Sequence, residues 1–259
     1  MVRLPRRDWW RASATGVSRC AACRPGAEAR RCPRTRAAQE PRRPVRTVGK
    51  RVARAEGKHV ARTVDPARHE ARRLVIIDAA LTVFAARGYD GATTAAICRE
   101  ARIGSGTLFH YFPTKLAVLL GILDQGTREV RESAAAHAGR EDPLAVLLEI
   151  VGQVADEVAD PRAAGFVRAA GGVMHLPEVA EALEADADAQ RARIRPWVGR
   201  GQERGEVRTD LAPGRIVSWL MLLTDGFTER VAVEPGFTAP GEKDLLVATA
   251  RQFLVPGHG

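Results

Sequence analysis

A chain of 259 residues that is 45% hydrophobic, only 5% aromatic and rich in Ala and Arg has room for one large or two modest domains. That composition favours helices over sandwiches or barrels, and no run of eighteen uncharged apolar residues is present to span a membrane. The net charge of +9 is unevenly spread: residues 1–64 carry 18 Lys+Arg against 4 Asp+Glu, 65–115 carry 7 against 5, and 116–259 carry 15 against 22, so polyanion binding belongs to the N-terminal half.

Residues 1–64 have no sustained hydrophobic period, many Arg and Pro, and few large aliphatics. Such a segment cannot bury enough apolar surface to offset its ordering entropy, so it is expected to be a disordered basic extension. Two readings fit it. One is an arm that adds nonspecific affinity for phosphates; the other is a start site misassigned upstream of an internal valine such as Val45, Val60 or Val64. The segment has charge but no apolar core of a secretory signal. Cys20-x-x-Cys23 with Cys32 and His59 has the residue types of a zinc site, but the spacing to a fourth ligand is poor, and unpaired thiols are expected. Four cysteines fit a reducing cytoplasm.

Order is expected from Asp65-Pro66, an N-cap followed by a proline at the first helical position. A helix runs to about Arg87 with Leu74, Ile77, Leu81 and Phe84 on one face, and Gly88 ends it. Thr93 caps a short helix through Ala101, and a tight turn leads to another short helix over about 104–111. Pro113-Thr114 opens a longer helix from Lys115 to about His137, with Leu116, Leu119, Leu123 and Val130 inward.

The second half repeats this grammar. Asp142-Pro143 is a second cap-plus-proline start, with Leu144, Leu147, Leu148, Val151, Val154 and Val158 as its stripe. Pro177 starts a long helix with Val179, Leu183, Ala187, Ile194, Trp197 and Val198 inward; its acids lead and its arginines trail, which complements the helix dipole. From Pro213 to about Arg230 the pattern is apolar on more than one face, so this helix must be covered on two sides. A final helix over about 241–254 offers Leu246, Ala250, Phe253 and Leu254. With no convincing strand, the fold class is all-α.

The informative stretch is 92–111. Two short helices must cross closely there, so a small Cys98 stands where a bulky side chain would block the second helix. Ile97, Ile103, Leu108 and Phe112 supply a shared core against Leu81 and Phe84. The outer face keeps Ser105, Thr107, His110 and Tyr111, hydrogen-bonding groups without strong charge, suited to base edges and phosphate oxygens in a major groove. Gly106 lets the backbone approach a duplex without a side chain intervening.

Here the chain resembles the TetR family of bacterial regulators. The resemblance rests on Ala79-Ala80-(x)3-Phe84-(x)3-Gly88-Tyr89, on Thr93-(x)3-Ile97, and on Gly106-Thr107-Leu108-Phe109-His110-Tyr111-Phe112-(x)2-Lys115, and it covers about 70–123. It implies an N-terminal three-helix helix-turn-helix domain over 65–118 and a C-terminal helical ligand-binding and dimerisation domain over 119–255. It implies a homodimer on a palindromic DNA operator, usually a repressor, released by a small molecule, acting in the cytoplasm on the nucleoid. By position in the motif, the implied DNA contacts are Thr93, Thr94, Ser105, Gly106, Thr107, His110, Tyr111 and Lys115. Three departures stand out. Arg102 replaces the usual turn Gly, which costs about 1–2 kcal/mol in a left-handed backbone. Gly104 replaces a common Ser cap, leaving Ser105 as an alternative cap. Phe109 replaces a frequent Tyr and removes a phosphate hydrogen bond.

The helices of about 213–230 and 241–254 are expected to pair with their twofold mates into a four-helix interface that spaces the two modules by roughly 34–36 Å. A ligand wedged among the helices of 142–230 would tilt the helix that starts at Lys115. Met174 and Trp219 are the candidate ligand contacts, although apolar residues on helices are usually core. Gly104-Ser105-Gly106-Thr107 lacks the preceding strand and the Lys of a phosphate loop. Glu181, Glu184, Asp186 and Asp188 read as a solvated helix face rather than metal ligands, and His175 as a satisfied or exposed histidine. No metal and no cofactor are expected. An enzyme with an apolar chamber would need an acid–base pair or nucleophile set, and none has motif support; an architectural DNA binder dominated by the basic extension is the other alternative.

Overall fold

The computed structural model describes residues 65–256, and among them every regular element is helical. In chain order these are α1 (Pro66–Gly91), α2 (Thr94–Glu100), α3 (Ser105–Tyr111), α4 (Lys115–Ala136), α5 (Pro143–Val158), α6 (Ala163–Gly171), α7 (Pro177–Glu203), α8 (Pro213–Val233) and α9 (Ala239–Leu254). The all-α expectation holds. The readings made for 1–64, including Cys20, Cys23, Cys32, His59 and the internal valines, lie outside the described residues.

Local chemistry sets the boundaries. Asp65 accepts the Ala67 N–H at 3.1 Å with Pro66 behind it, and α1 then runs until Gly88, whose φ of +67° breaks the helical path. Thr93 and Thr114 cap α2 and α4 by accepting the N–H groups of Ala96 and Ala117. Asp142 precedes Pro143 as expected but does not cap α5. Its carboxylate is instead bonded by Arg140 at 2.7 and 2.6 Å, and that pairing pulls its pKa down to about 2. The Arg140 fork outcompetes a single backbone N–H because both of its bonds are charge-assisted.

Between α2 and α3 the chain turns within a few residues. The Ile103 N–H reaches back to the Cys98 carbonyl at 2.9 Å and the Arg102 N–H to that of Arg99 at 3.2 Å, the paired bonds of a Schellman motif. Arg102 occupies its left-handed position with φ +53°, the sole non-glycine with positive φ among the described residues. The backbone is therefore held left-handed by these two bonds in spite of the side chain.

The first core joins Ile77, Leu81 and Phe84 of α1 to Ile97, Leu108, Phe112 and Leu119, all buried. Leu74 and Leu116 are only half-buried, whereas Ile76 and Ala80 are fully covered. The reason is that α1 is packed on two sides: α2 and α4 cover one, and α6 covers the other in the most extensive contact between elements. At that second contact the backbones nearly touch. A Cβ on Gly165 would lie 2.2 Å from the Ala85 carbonyl oxygen. Arg162 fastens the same seam, donating to Asp78 Oδ1 at 2.7 Å and Thr82 Oγ1 at 3.0 Å on α1 while its fork grips Asp160.

The second core is built from α5, α7, α8 and α9, with α9 against α5 and α4 against α7. Leu147, Val151, Val154, Val158, Val179, Leu183, Ile194, Trp197, Val198, Leu246 and Leu254 are buried as their spacing predicts; Ala187, Leu144 and Phe253 are partly covered. The α4–α7 seam departs from expectation. Asp186, expected on a solvated face, is 4% exposed with Thr127 Oγ1 3.3 Å from its Oδ1. Gln125 on α4 and Gln190 and Arg193 on α7 are buried as well, Gln125 accepting from Arg73 of α1 at 3.3 Å. Arg193 donates to Gln153 Oε1 at 2.6 Å. Helix α8 is covered on one side only: Ile216, Val217, Leu220 and Phe227 face inward, while Trp219 and Leu222 stand exposed.

Two outcomes follow from this packing. Arg102→Gly is expected to raise stability by about 0.5–1 kcal/mol, the left-handed penalty relieved less the extra entropy of a glycine, read as an upward shift of the urea midpoint. Gly165→Ala is expected to destabilise by about 1–3 kcal/mol because two backbones must part, whereas Gly106→Ala, whose Cβ meets nothing within 4 Å, should gain about 0.5–1 kcal/mol. Equal midpoints for the two glycine variants would refute the close α1–α6 approach.

Candidate nucleic-acid interface

Helices α2 and α3 cross over Ile97, Cys98 and Leu108, and all three are buried, so the small Cys98 does sit at the crossing. Burying those faces leaves the opposite ones outward. Ser105, Gly106, Thr107 and His110 are exposed on α3, Thr93 is exposed at the start of α2, and Thr94 is half-buried. Gly104 is the N-cap of α3 and offers no side-chain bond; Ser105 follows it at the first helical position and does not cap. Its hydroxyl stays on the open face.

The remaining two motif residues are engaged within the chain. The Tyr111 ring lies 4.5 Å from that of His69, near the start of α1, and the His110 ring stands edge-on to Tyr111 at 5.3 Å. Lys115 stands at the start of α4. Its ammonium donates to the carbonyls of Tyr89 at 2.7 Å and Ala92 at 3.2 Å and lies 4.2 Å from the centre of the Tyr89 ring. The Tyr89 carbonyl also accepts the Ala92 N–H at 3.3 Å, and Lys115 joins both residues from α4 across the gap between α1 and α2. Partial burial, reinforced by the negative charge of Asp90, pushes the Tyr89 hydroxyl pKa upward.

Three features of this face were not read from the sequence. His69 belongs to it by stacking on Tyr111, a contact across 42 positions that no local spacing reveals. Arg99 and Arg102 are exposed at the α2–α3 turn. Phe109 is 48% exposed on α3, an apolar ring left uncovered among polar neighbours.

Met174 and Trp219 are not brought together. Met174 is exposed in the turn after α6, and Trp219 is exposed on the outer side of α8, where it lines an open groove with Leu222, Phe227, Phe237 and Leu245. The interior cavity lies elsewhere, enclosed by α5, α7 and α8 through Leu147, Ile150, Val154, Ile194, Leu220 and Met221. It is narrow, about 10 Å³, room for roughly one water. Gln190 lines it, 2% exposed, with Nε2 lacking a hydrogen-bond partner, and Thr224 turns its hydroxyl back onto its own helix. Trp219 misses this cavity because its neighbour Leu220 takes the inward direction on α8.

Comparison with known proteins matches both halves. The model for bacterial regulatory proteins of the tetR family fits residues 76–122, which hold α2 and α3, and the model for the tetracyclin repressor-like C-terminal domain fits residues 141–231. The chain is 25% identical over 191 residues to the HTH-type transcriptional repressor AcnR of Corynebacterium jeikeium, covering 72% of this chain and 94% of that one. It is 40% identical over 50 residues to the uncharacterised HTH-type transcriptional regulator YuxN of Bacillus subtilis, although these span 19% of this chain and only 17% of that protein. The fold is shared with the transcriptional regulator FadR of Bacillus subtilis, solved in complex with stearoyl-CoA, at a TM-score of 0.62 and 16% identity over 70% of this chain and 98% of that one. The chain belongs to the TetR family of bacterial regulatory proteins.

Proposed function

We propose that this chain is a homodimeric repressor, acting on the chromosome in the cytoplasm, that binds a palindromic operator through α3 and releases it when a small apolar molecule enters the C-terminal core. The observation that carries the reading is the outward face of α3. Ser105, Thr107 and His110 are exposed hydrogen-bonding groups on a helix fixed from behind by a fully buried Leu108. Such groups suit base edges and phosphate oxygens when a recognition helix enters the major groove. Thr93 accepts the Ala96 N–H through its oxygen, which leaves its O–H to donate to a phosphate, and Thr94 lies beside it. Gly106 admits the duplex closely. Tyr111 offers its hydroxyl from a ring held by His69. Lys115 contributes one remaining N–H, since two are given to carbonyls.

Dimerisation is supported by the uncovered side of α8 and by α9. Trp219, Leu222 and Leu245 are exposed, the last at 64%, around an apolar groove of about 490 Å³. Apolar surface of this kind on a regulator that must engage two half-sites fits a twofold interface. For the effector, the α5–α7–α8 cavity of about 10 Å³ holds no more than one water as it stands, so an effector would enter by parting these helices. The aliphatic walls and the Gln190 Nε2, a donor without a partner, suit an uncharged molecule carrying one hydrogen-bond acceptor. Met174 has no part in this reading, and Trp219 is assigned to the dimer. No catalytic role is proposed.

The test begins with duplexes selected by the full chain from random DNA and affinities read by fluorescence anisotropy. Trp219→Arg is expected to sediment as a monomer and to lose at least tenfold in affinity, about 1.4 kcal/mol; a monomeric variant with undiminished affinity would exclude the dimer requirement. The architectural alternative is favoured by the strong basic charge of residues 1–64. Deleting them is expected to lower overall affinity and flatten the salt dependence while leaving the ranking of operators intact. Loss of the ranking itself would favour the architectural reading.

A further inference from the structure

We infer that Phe109 reads the C5-methyl group of a thymine, so that each operator half-site contains a thymine this protein recognises by its methyl alone. The inference rests on the reading of α3 as the DNA-entering helix and names what one of its residues sees there.

Two observations lead to it. Leu108 and Phe112, the other large apolar residues at this end of α3, are buried, whereas Phe109 is 48% exposed and lies between exposed Thr107 and His110. Leaving an aromatic ring in water is unfavourable, and the crossing of α2 and α3 does not need it, since Ile97, Cys98 and Leu108 already fill that crossing. Gly106 is the second observation. It lies one turn before Phe109 on the same side of α3, its backbone is not left-handed, and a Cβ there would meet nothing within 4 Å. Neither packing nor turn geometry therefore requires a glycine, although glycine weakens a helix. Together they make a recess bounded by an apolar ring.

Its occupant follows from the chemistry of the major groove. The edges of the four base pairs there present hydrogen-bond donors, acceptors and one apolar group, the thymine methyl. An apolar ring with no polar atom can discriminate among base edges only through that methyl. The sugar–phosphate backbone is the other surface within reach, and contact with it would be indifferent to sequence.

The experiment uses the full chain and a duplex it selects from random DNA, with each thymine replaced in turn by deoxyuridine, which removes the methyl and changes nothing else on that edge. Burying one methyl is worth roughly a fourfold change per half-site, and about fifteenfold when both symmetric positions are replaced. The expected result is one thymine per half-site at which deoxyuridine weakens the wild type by that factor and leaves Phe109→Ala unaffected. Three results would overturn the assignment. The wild type could bind its duplex with no thymine methyl mattering; the loss could persist undiminished in Phe109→Ala; or Phe109→Ala could weaken all duplexes equally, which marks a backbone contact. A wild type that selects no sequence at all would remove the DNA-binding reading as well, an outcome distinct from the other three. Because the ring is exposed, the alanine variant should keep its helicity, and the deoxyuridine series on the wild type decides the matter without it.

Discussion

One ammonium group holds the ends of three helices in register. Where Gly88 interrupts α1, the carbonyls of Tyr89 and Ala92 are left facing the start of α4, and Lys115 bonds both from there while resting on the Tyr89 ring. The arrangement is partly buried, so its electrostatic attraction is only weakly diluted by solvent. The position of α2 and α3 relative to the rest of the molecule depends on this junction, since α2 begins two residues after the second of those carbonyls. A displacement of α4 along its axis would pull on that junction directly.

The rest of the molecule gives such a displacement a direction. Helix α1 is bound tightly to α6 through the bare backbone at Gly165 and the Arg162 fork, so these two behave as one block. Helix α4 also rests against α7, where Thr127 Oγ1 lies 3.3 Å from the buried Asp186 Oδ1. One turn further along α7, Gln190 lines the α5–α7–α8 cavity. An occupant of the cavity that shifted α7 would thus move the helix on which α4 rests.

Much of this was legible in the sequence because it is local. Asp65, Thr93 and Thr114 announce helix starts by the spacing of a cap to its N–H, Gly88 announces a break, and 3.6-residue periodicity exposes the buried stripes of α1, α5 and α7. The helix with two apolar faces was also recognisable, and its uncovered side carries Trp219. What escaped is what depends on elements far apart in the chain. Asp186 looks like any surface acid until α4 covers it, and Asp142 looks like a cap until Arg140 claims its carboxylate. The His69–Tyr111 stack, the double carbonyl bond of Lys115 and the exposure of Phe109 require knowing how α1, α3 and α4 meet. The exposure of Met174 and Trp219 was hidden for a related reason: residue type suggests a pocket lining, but only the packing of α8 decides which of its sides becomes interior.

The junction at Lys115 also bears on how ionic strength would act on the molecule. Mobile ions dilute attraction between solvent-facing charges over about 10 Å at 0.1 M, but they weaken far less a partly buried ammonium already bonded to two carbonyls and resting on a ring. The headpiece geometry should therefore be the same in dilute and concentrated electrolyte. Any slope of affinity against salt would then count the counterions displaced from the nucleic acid, uncontaminated by loosening of the protein that displaces them.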